Sequence, residues 1–346
     1  MEGSIVQKSK AKLVLVLVIG LLSLFLLLMI SWSMGAVDID FSTVINSMIS
    51  IITNFGPAEG DASQQIVWSR MVRSVAVMGV GIGLSVSGVV MQALIRNPLV
   101  DPYITGVSSG AALGAILSIL AGISIVSLAE FTTPVAALIG ALVAFFITLT
   151  LAESAGGRSV NFVLSGMIIG IAISSITTVL IVSSDDNRLH GALFWLYGSF
   201  AYMSWTKALI IIVPILILSM VFLLYAREFN VILLGDEHAK HLGLDVRLFK
   251  RITILVVSVL TAISVAFSGI IGFLGLIVPH TSRMLVGGDH RLLIPTSMIL
   301  GANVLLAADI FSRLAVRPNE LPIGAVISLI GAPFFVYLMI KRGKEY

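Results

Sequence analysis

Two short motifs in the sequence contain residue types that could perform catalysis or hold a metal. Residues 106–110 read Gly-Val-Ser-Ser-Gly, the G-x-S-x-G pattern of serine hydrolases. That nucleophile needs a strand–turn–helix and a His/acid pair, whereas this copy opens a long apolar run. His238 and His241 lie near Asp236 and Glu237, but zinc sites use three or four ligands held by further hydrogen bonds. We therefore expect neither catalysis nor a metal, and we interpret the two His as part of an exposed polar helix.

The second motif lies in segment 227–251, the longest polar stretch in the second half of the chain. Nine of its 25 residues are charged and two more are His. A short isolated helix is predicted at its centre. Asp236 is placed to cap it, Glu237 suits its positive N-terminal end, and Gly243 suits its C-terminal stop. A short, capped, exposed helix of this kind is well placed to contact another protein.

The composition of the chain indicates a membrane protein. It has 346 residues, 58% hydrophobic and 11% charged, with a mean hydropathy of +1.08. Runs of about 20 apolar residues, the length of one helical span, recur to its end. These runs are continuous rather than alternating, which favours helices over a barrel. There is no Cys, which excludes disulfides, iron–sulfur clusters and a thiol nucleophile. The basic residues lie at span ends rather than in one patch, so we reject nucleic acid as a partner and expect membrane lipid.

The apolar runs predict an all-α, polytopic membrane protein with ten transmembrane helices in a single domain over residues 1–346. The first run follows three Lys but has no small-residue cleavage site after it, so we interpret it as a retained span rather than a signal peptide. The predicted spans are about 13–33, 74–95, 103–120, 134–151, 161–182, 206–225, 252–267, 271–286, 292–308 and 321–340.

Basic residues are unevenly divided between the two sides of this topology. Ten spans put both termini on one side, and if that side is the cytoplasm the inner segments hold 15 Lys and Arg and the outer segments six. The acids split nine and nine, so the bias lies in the basic residues alone. The positive-inside rule therefore predicts cytoplasmic termini and a cytoplasmic segment 227–251 in a plasma (inner) membrane protein.

Ionisable residues are almost absent from the predicted span centres. Asp309 is close to a span end, and His280 is mid-span or near it. Because proton- or sodium-coupled carriers place acids or His inside the membrane, the energy for any transport is expected from elsewhere. The chain has no G-x-x-x-x-G-K-[ST] phosphate loop, so if ATP drives transport another subunit must bind it.

Three runs carry spaced motifs: R-N-P-L-V-D-P at 96–102, G-F-L-G-L-I-V-P-H at 272–280 and E-L-P-I-G at 320–324. With their flanking glycines and ten spans, they closely resemble the permease subunits of type II ABC importers. These are the FecCD-type permeases that move iron–siderophores, haem and cobalamin. The resemblance covers nearly the whole chain and implies the type II ABC importer permease fold. The motif residues expected to be structural are Arg96, Asn97, Pro98, Pro102, Pro279 and His280.

The resemblance implies that the polar helix is a coupling helix, which docks into a cleft of an ATPase subunit. Two ATPase copies would bind ATP and Mg, so no cofactor is expected in this chain. Ala239 and Leu242, three apart, are predicted to share one face, and either they or the charged residues would make the contact. A solvated linker is the alternative. The residues expected to take part are Leu234, Gly235, Asp236, Glu237, Ala239, Lys240, Leu242 and Gly243.

Arginines on the predicted outer side oppose the positive-inside bias. Arg70 and Arg73 resemble the family's paired outer arginines, with Val72 where the family usually has Pro, and Arg313 resembles a third. In the family they accept carboxylates of an external substrate-binding protein, which suits the bidentate guanidinium. Interfacial anchoring is the alternative, and for Arg313 so is a helical ion pair with Asp309, four residues earlier.

The fifth span and the segment after it resemble the part of the family that lines the central pathway at a dimer interface. A pathway of Ser, Thr and apolar groups would let a bulky chelate pass without tight binding. The residues expected at the pathway or its inner gate are Ser159, Val160, Asn161, Ser165 and Trp195.

Taken together, these features predict a non-enzymatic permease subunit of an ATP-driven importer for a metal chelate. Its partners would be two ATPase subunits, an external binding protein and a second permease subunit, with a homodimer expected. Siderophore, haem, cobalamin and an oxyanion all stay open as substrates. The alternatives are a stand-alone secondary transporter or channel for a small solute, and an intramembrane enzyme, for which the sequence offers no buried catalytic pair.

Overall fold

The computed structural model describes residues 2–123, 130–184 and 186–342. The predicted all-α fold is confirmed over these ranges, where the one strand-like pairing is an isolated bridge between Val316 and Asn319. The predicted turn between the third and fourth spans falls partly outside the described residues. The helices are α1 (Glu2–Ser33), α2 (Phe41–Asn54), α3 (Ala62–Ile95), a 3-10 helix (Pro102–Thr105), α4 (Val107–Ala121), α5 (Thr132–Ser154), α6 (Ser159–Val182), α7 (Asp186–Leu196), α8 (Trp205–Leu224), α9 (Ala226–Leu233), α10 (Asp236–His241), α11 (Val246–Ser268), α12 (Leu274–Val286), α13 (His290–Leu314) and α14 (Ile323–Arg342).

Ten of these helices coincide with the ten predicted spans. Seven of them, within the described part of the chain, are long and apolar enough to cross a membrane: α1, α3, α5, α6, α8, α11 and α13. The apolar stretches of α4 and α14 are shorter, and α12 has 13 residues. The structure is therefore compatible with ten spans, of which three are short.

Helix α3 is the centre around which the others pack. Its 34 residues correspond to about 51 Å, well beyond the roughly 30 Å of a bilayer core. Buried residues occupy every side of the helix from Gly79 to Leu94. Small residues allow neighbouring backbones to approach it, because a methyl group on Gly88 would overlap the carbonyl of Gly275, and one on Gly81 would overlap that of Gly301. Such contacts are how helices associate closely in lipid.

The segment between the first two spans contains a helix that the sequence interpretation missed. Residues 38–73 read as a polar stretch with a loop, but α2 forms within it, and α3 begins well before the apolar run. Val44 and Ile51 of α2 are buried against Trp32 and Val67. α2 is therefore an amphipathic helix that packs against α1 and α3. Helix α7 lies between the fifth and sixth spans.

We expect Gly88→Ala to destabilise the fold, because the new methyl group must force α3 and α12 apart. Overpacking of this kind costs about 1–3 kcal/mol or more. The thermal unfolding temperature of the purified protein in detergent measures the effect. Gly191→Ala in α7 is the matched control, since nothing lies within 4 Å of its added methyl group. Equal unfolding temperatures for the two variants would contradict the close contact.

Candidate coupling and docking sites

The predicted coupling helix is α10, and it is fixed to its own chain by an apolar cluster. Ile232 on α9, Ala239 on α10 and Val246 on α11 are buried together. Partly buried Leu244 and Phe249 pack against them. The three helices α9, α10 and α11 therefore share one small core, which makes α10 a rigid projection rather than a solvated linker.

The prediction that Asp236 caps this helix is wrong. Gly235 is the N-cap, with φ +110°, and Asp236 is the first helical residue. The Asp236 carboxylate instead accepts from Lys250 Nζ at 2.7 Å and pairs with Arg96 Nη2 at 3.2 Å. The carboxylate pairs with these two cations, from α3 and α11, rather than with the N–H groups of its own helix. It therefore links α10 to both helices. Gly243 follows the helix in the left-handed conformation expected of a stop, with φ +87°.

The prediction that Ala239 and Leu242 share one face is also wrong. Ala239 is fully buried, whereas Leu242 is 65% exposed. Ala239 therefore anchors α10 to the chain and cannot touch a partner. Of the predicted coupling residues, Leu234, Glu237, Lys240 and Leu242 are exposed on or beside α10.

Metal binding has no support at this helix. The described residues hold no group of three or more His, Cys, Asp or Glu side chains that could bind a metal ion. His238 and His241 are exposed, which agrees with the interpretation of a polar helix face.

The motif at 96–102 forms the end of α3 and the entry to the next span. Arg96 ends α3 in the left-handed conformation, with φ 55°. Asn97 Oδ1 accepts from the N–H of Leu99 at 2.9 Å, and Asp101 Oδ1 accepts from the N–H of Tyr103 at 2.9 Å. Burial raises the pKa of Asp101 to about 6. Pro102 starts the 3-10 helix, so these residues set a tight turn, as expected of structural motif residues.

The other motif residues lie on α12 and in the helix that opens at 107. Pro279 is buried inside α12, and His280 beside it is half-buried. Gly106, with φ +78°, precedes α4. Because a 3-10 helix rather than a strand leads into it, residues 106–110 do not form the nucleophile turn of a hydrolase.

At the other end of α3, Arg70 is buried and bonds to backbone. Its guanidinium donates to the carbonyl oxygens of Trp32 at 2.8 Å, Ser33 at 2.9 Å and also Val37. These carbonyls belong to the last turn of α1 and the loop after it, which lack helical N–H partners. Arg70 therefore caps α1.

Arg73 and Arg313 share one buried carboxylate. Asp309 on α13 is fully buried; it accepts from Arg73 Nε at 2.9 Å and from Arg313 Nε at 3.0 Å. The predicted alternative for Arg313, an ion pair with Asp309, is thus present. Arg73 Nη1 also pairs with Glu320 at 2.8 Å. Glu320 was predicted only as a motif residue, and its pairing partner lies 247 residues away, beyond the reach of local patterns.

The three arginines and Glu320 line one open cavity of about 380 Å³. Tyr202, 94% exposed, stands at its rim. Beside it, Arg317 pairs with Asp38 at 3.0 Å and holds the pKa of that carboxyl below its usual range. The arginines are thus grouped as predicted, but Arg70 and Arg313 are turned into the chain and Arg73 is the most accessible of the three. Their role in docking stays a prediction.

Helix α6 exposes one long face, but only part of the predicted pathway set lies on it. Val160 is exposed, and Ser159 and Asn161 are half-buried at the start of the helix. Ser165 is buried within the chain, and Trp195 is half-buried against the core. Ser165 is therefore directed away from any pathway along this face, and the other four remain candidates.

A polar strip on the same face went unpredicted. Ser174, Ser175 and Thr178 line a cavity of about 420 Å³ with Gly170 and Tyr103. Three hydroxyl residues within five positions of an apolar span were the signal in the sequence that could have found them.

A helical membrane fold with a fixed projecting helix at one end and an arginine cluster at the other defines a permease of the ABC importer class. The chain matches the FecCD transport family over residues 21–341 and belongs to it. It is accordingly a transport permease and not an enzyme.

Curated relatives cover most of the chain. The cobalamin import system permease protein BtuC of Halobacterium salinarum is 41% identical over 284 residues, 82% of this chain and 75% of the relative. The hemin transport system permease protein HmuU of Yersinia pestis is 38% identical over 330 residues, 94% and 95% of the two chains. A solved inward-facing structure assigned to the metal-chelate type of ABC transporter is 34% identical, with a TM-score of 0.81 over 94% of this chain and 98% of that one. The fold is therefore that of a type II ABC importer permease.

We expect Asp309→Asn to destabilise the protein strongly, because it leaves two buried guanidinium groups without their shared counter-charge. Breaking a buried pair in this way costs about 3–5 kcal/mol. Thermal unfolding in detergent measures the loss. Asp38→Asn, which breaks an exposed pair, should change the unfolding temperature little. If Asp309→Asn behaved like this control, the cluster would not hold α3 to α13.

Proposed function

We propose that this chain is the permease subunit of a plasma-membrane ABC importer that moves a metal chelate delivered by an external binding protein. The observation that carries the proposal is the single helix α3, which bears arginines of the outer cluster at one end and Arg96, paired with α10, at the other. A push on α10 would therefore reach the outer end through a buried, rigid helix. Two copies of the chain would form a homodimer around the pathway.

Energy in this proposal comes from two ATPase subunits, which bind ATP and Mg, so this chain needs no cofactor. Leu234 and Leu242 offer apolar contacts and Glu237 and Lys240 offer charged ones, all on the exposed side of α10. The basic-residue bias supports a cytoplasmic position for this side and for both termini.

Docking of the external protein would take place at the outer cavity. A carboxylate of the binding protein would pair with Arg73, the most accessible of the three arginines, and so compete with Glu320, which is one-third exposed. Asp309 would stay in place, because it is fully buried beneath both arginines. Glu320 therefore occupies, within this chain, the place beside Arg73 that a carboxylate of the binding protein would take.

The substrate proposal follows the relatives, which import cobalamin and hemin. The exposed face of α6, with Ser174, Ser175 and Thr178 among apolar side chains, would line a pathway that binds such a chelate weakly. Binding of candidate chelates to the partner binding protein, followed by uptake into vesicles that hold the whole complex, tests the substrate and the class together. ATP-independent uptake by the permease alone would overturn the proposal.

We expect Leu242→Asp to lower ATP-driven uptake about tenfold or more, since burying a Leu contributes about 1.5–3 kcal/mol to an interface. Uptake into vesicles and co-purification of the ATPase subunits are the measurements. Phe55→Asp is the control, because Phe55 is also an exposed apolar residue but lies in the loop after α2. Unchanged uptake and co-purification in Leu242→Asp would exclude this residue from the coupling contact.

We expect opposite shifts in the affinity for the external binding protein when the two residues of the Arg73–Glu320 ion pair are replaced. Glu320→Gln removes the competing carboxylate and should tighten binding of the external protein about fivefold, the value of roughly 1 kcal/mol for one pair. Arg73→Gln should weaken it while ATPase assembly survives; Arg70, whose buried guanidinium caps α1, is left unchanged. Titration of the binding protein onto the reconstituted complex measures both.

Glu59→Gln, in the loop before α3, is the matched control for the loss of one outer negative charge. If Glu320→Gln weakened docking, Glu320 would itself be a contact residue rather than a competitor. If neither Glu320→Gln nor Arg73→Gln altered the affinity for the external binding protein, the outer cavity would not be the docking site.

A further inference from the structure

Two adjoining cavities lie beside the coupling helix, between the end of α8, α9 and the start of α11. The larger, of about 370 Å³, is walled mainly by apolar and aromatic groups, among them Phe222, Phe249 and Val256. Its volume is in the range of small-ligand pockets, about 300–1,000 Å³. Tyr225, Leu248 and Ile252 line it and are about half exposed, so the cavity opens on the surface of two membrane spans. An apolar chain from the bilayer could enter it directly.

The smaller cavity, of about 260 Å³, is polar and carries opposite charges. Arg227 and Glu228 line it, and Leu244 lines both cavities, so the two adjoin at that side chain. Arg227 is exposed and makes no ion pair in the described part of the chain. Glu228 Oε2 is buried and has no hydrogen-bond partner among the described residues. A buried acceptor without a partner is costly, so it indicates a donor supplied from outside the chain.

We propose that these two adjoining cavities together bind one phospholipid with a primary-amine headgroup, of the phosphatidylethanolamine kind. The acyl chain would occupy the apolar cavity, the phosphate would pair with Arg227, and the ammonium would donate to Glu228. Basic pockets between spans on the cytoplasmic side are known to hold lipid headgroups. The adjacent carboxylate distinguishes this pocket, because phosphatidylglycerol offers Glu228 only neutral hydroxyl donors in place of a cation, and a choline headgroup has no N–H to donate.

The lipid site lies beside the coupling helix, so a bound lipid would affect coupling to the ATPase. This consequence rests on the proposed function. Leu244, shared by both cavities, belongs to the link between α10 and α11, and it packs on the cluster that anchors Ala239. Phe249, a wall of the larger cavity, packs on the same cluster. A bound lipid would therefore fill the space under α10 and hold it in position.

Native mass spectrometry of the full permease complex tests the site, with phosphatidylethanolamine, phosphatidylglycerol and phosphatidylcholine as the three probes. We expect the permease to retain phosphatidylethanolamine through delipidation in preference to the other two. Arg227→Gln should lower its retention about fivefold, the effect of roughly 1 kcal/mol per basic residue. Glu228→Gln should abolish the preference over phosphatidylglycerol. Val256→Trp should lower retention of all three lipids by filling the apolar cavity.

Arg158→Gln and Val143→Trp are the matched controls, an exposed arginine and an exposed apolar span residue away from the cavities, and both should retain lipid as wild type does. Equal retention of the three lipids by wild type, or equal retention of phosphatidylethanolamine by Arg227→Gln and Arg158→Gln, would overturn the site. Lipid retention is measured without substrate or ATP, so a failed transport assay would count against the proposed function and not against this site. Selective retention with ATP-driven uptake unchanged in Val256→Trp would keep the site and overturn its effect on coupling.

Discussion

Close backbone contact around α3 is the constraint on which the rest of the structure depends. In lipid, apolar side chains gain little by meeting each other rather than acyl chains, so spans associate through tight packing and internal polar contacts. Gly81 and Gly88 bring α3 against α13 and α12 at near-contact distance of the backbones. A helix enclosed in this way cannot bend freely.

The polar contacts are placed where this helix leaves its apolar surroundings. At one end, buried Arg70 donates to carbonyls of α1 and the loop after it, and half-buried Arg73 is neutralised by carboxylates of α13 and the loop before α14. At the other end, exposed Arg96 shares Asp236 with Lys250. Buried charges persist only when paired, so the arginines that oppose the positive-inside bias are tolerated because the fold provides their partners.

The sequence was sufficient for the features that depend on local composition, and insufficient for those that depend on distant partners. Apolar run lengths predicted the spans, and polarity isolated segment 227–251. The cap at Asp236 failed because Lys250 and Arg96, 14 and 140 positions away in sequence, attract its carboxylate more strongly than adjacent N–H groups do. Helix α2 was missed because its packing depends on contacts of Val44 and Ile51 with Trp32 and Val67, which lie outside the helix.

Arg70 and Arg73 of α3 differ in the order in which they and their binding partners are synthesised. The carbonyls that bind Arg70 precede it in the chain by 33 to 38 residues, so they are made before it. The carboxylates that bind Arg73 follow 236 and 247 residues later. Arg73 therefore gains its carboxylate partners only after α13 and the loop that follows it have been made.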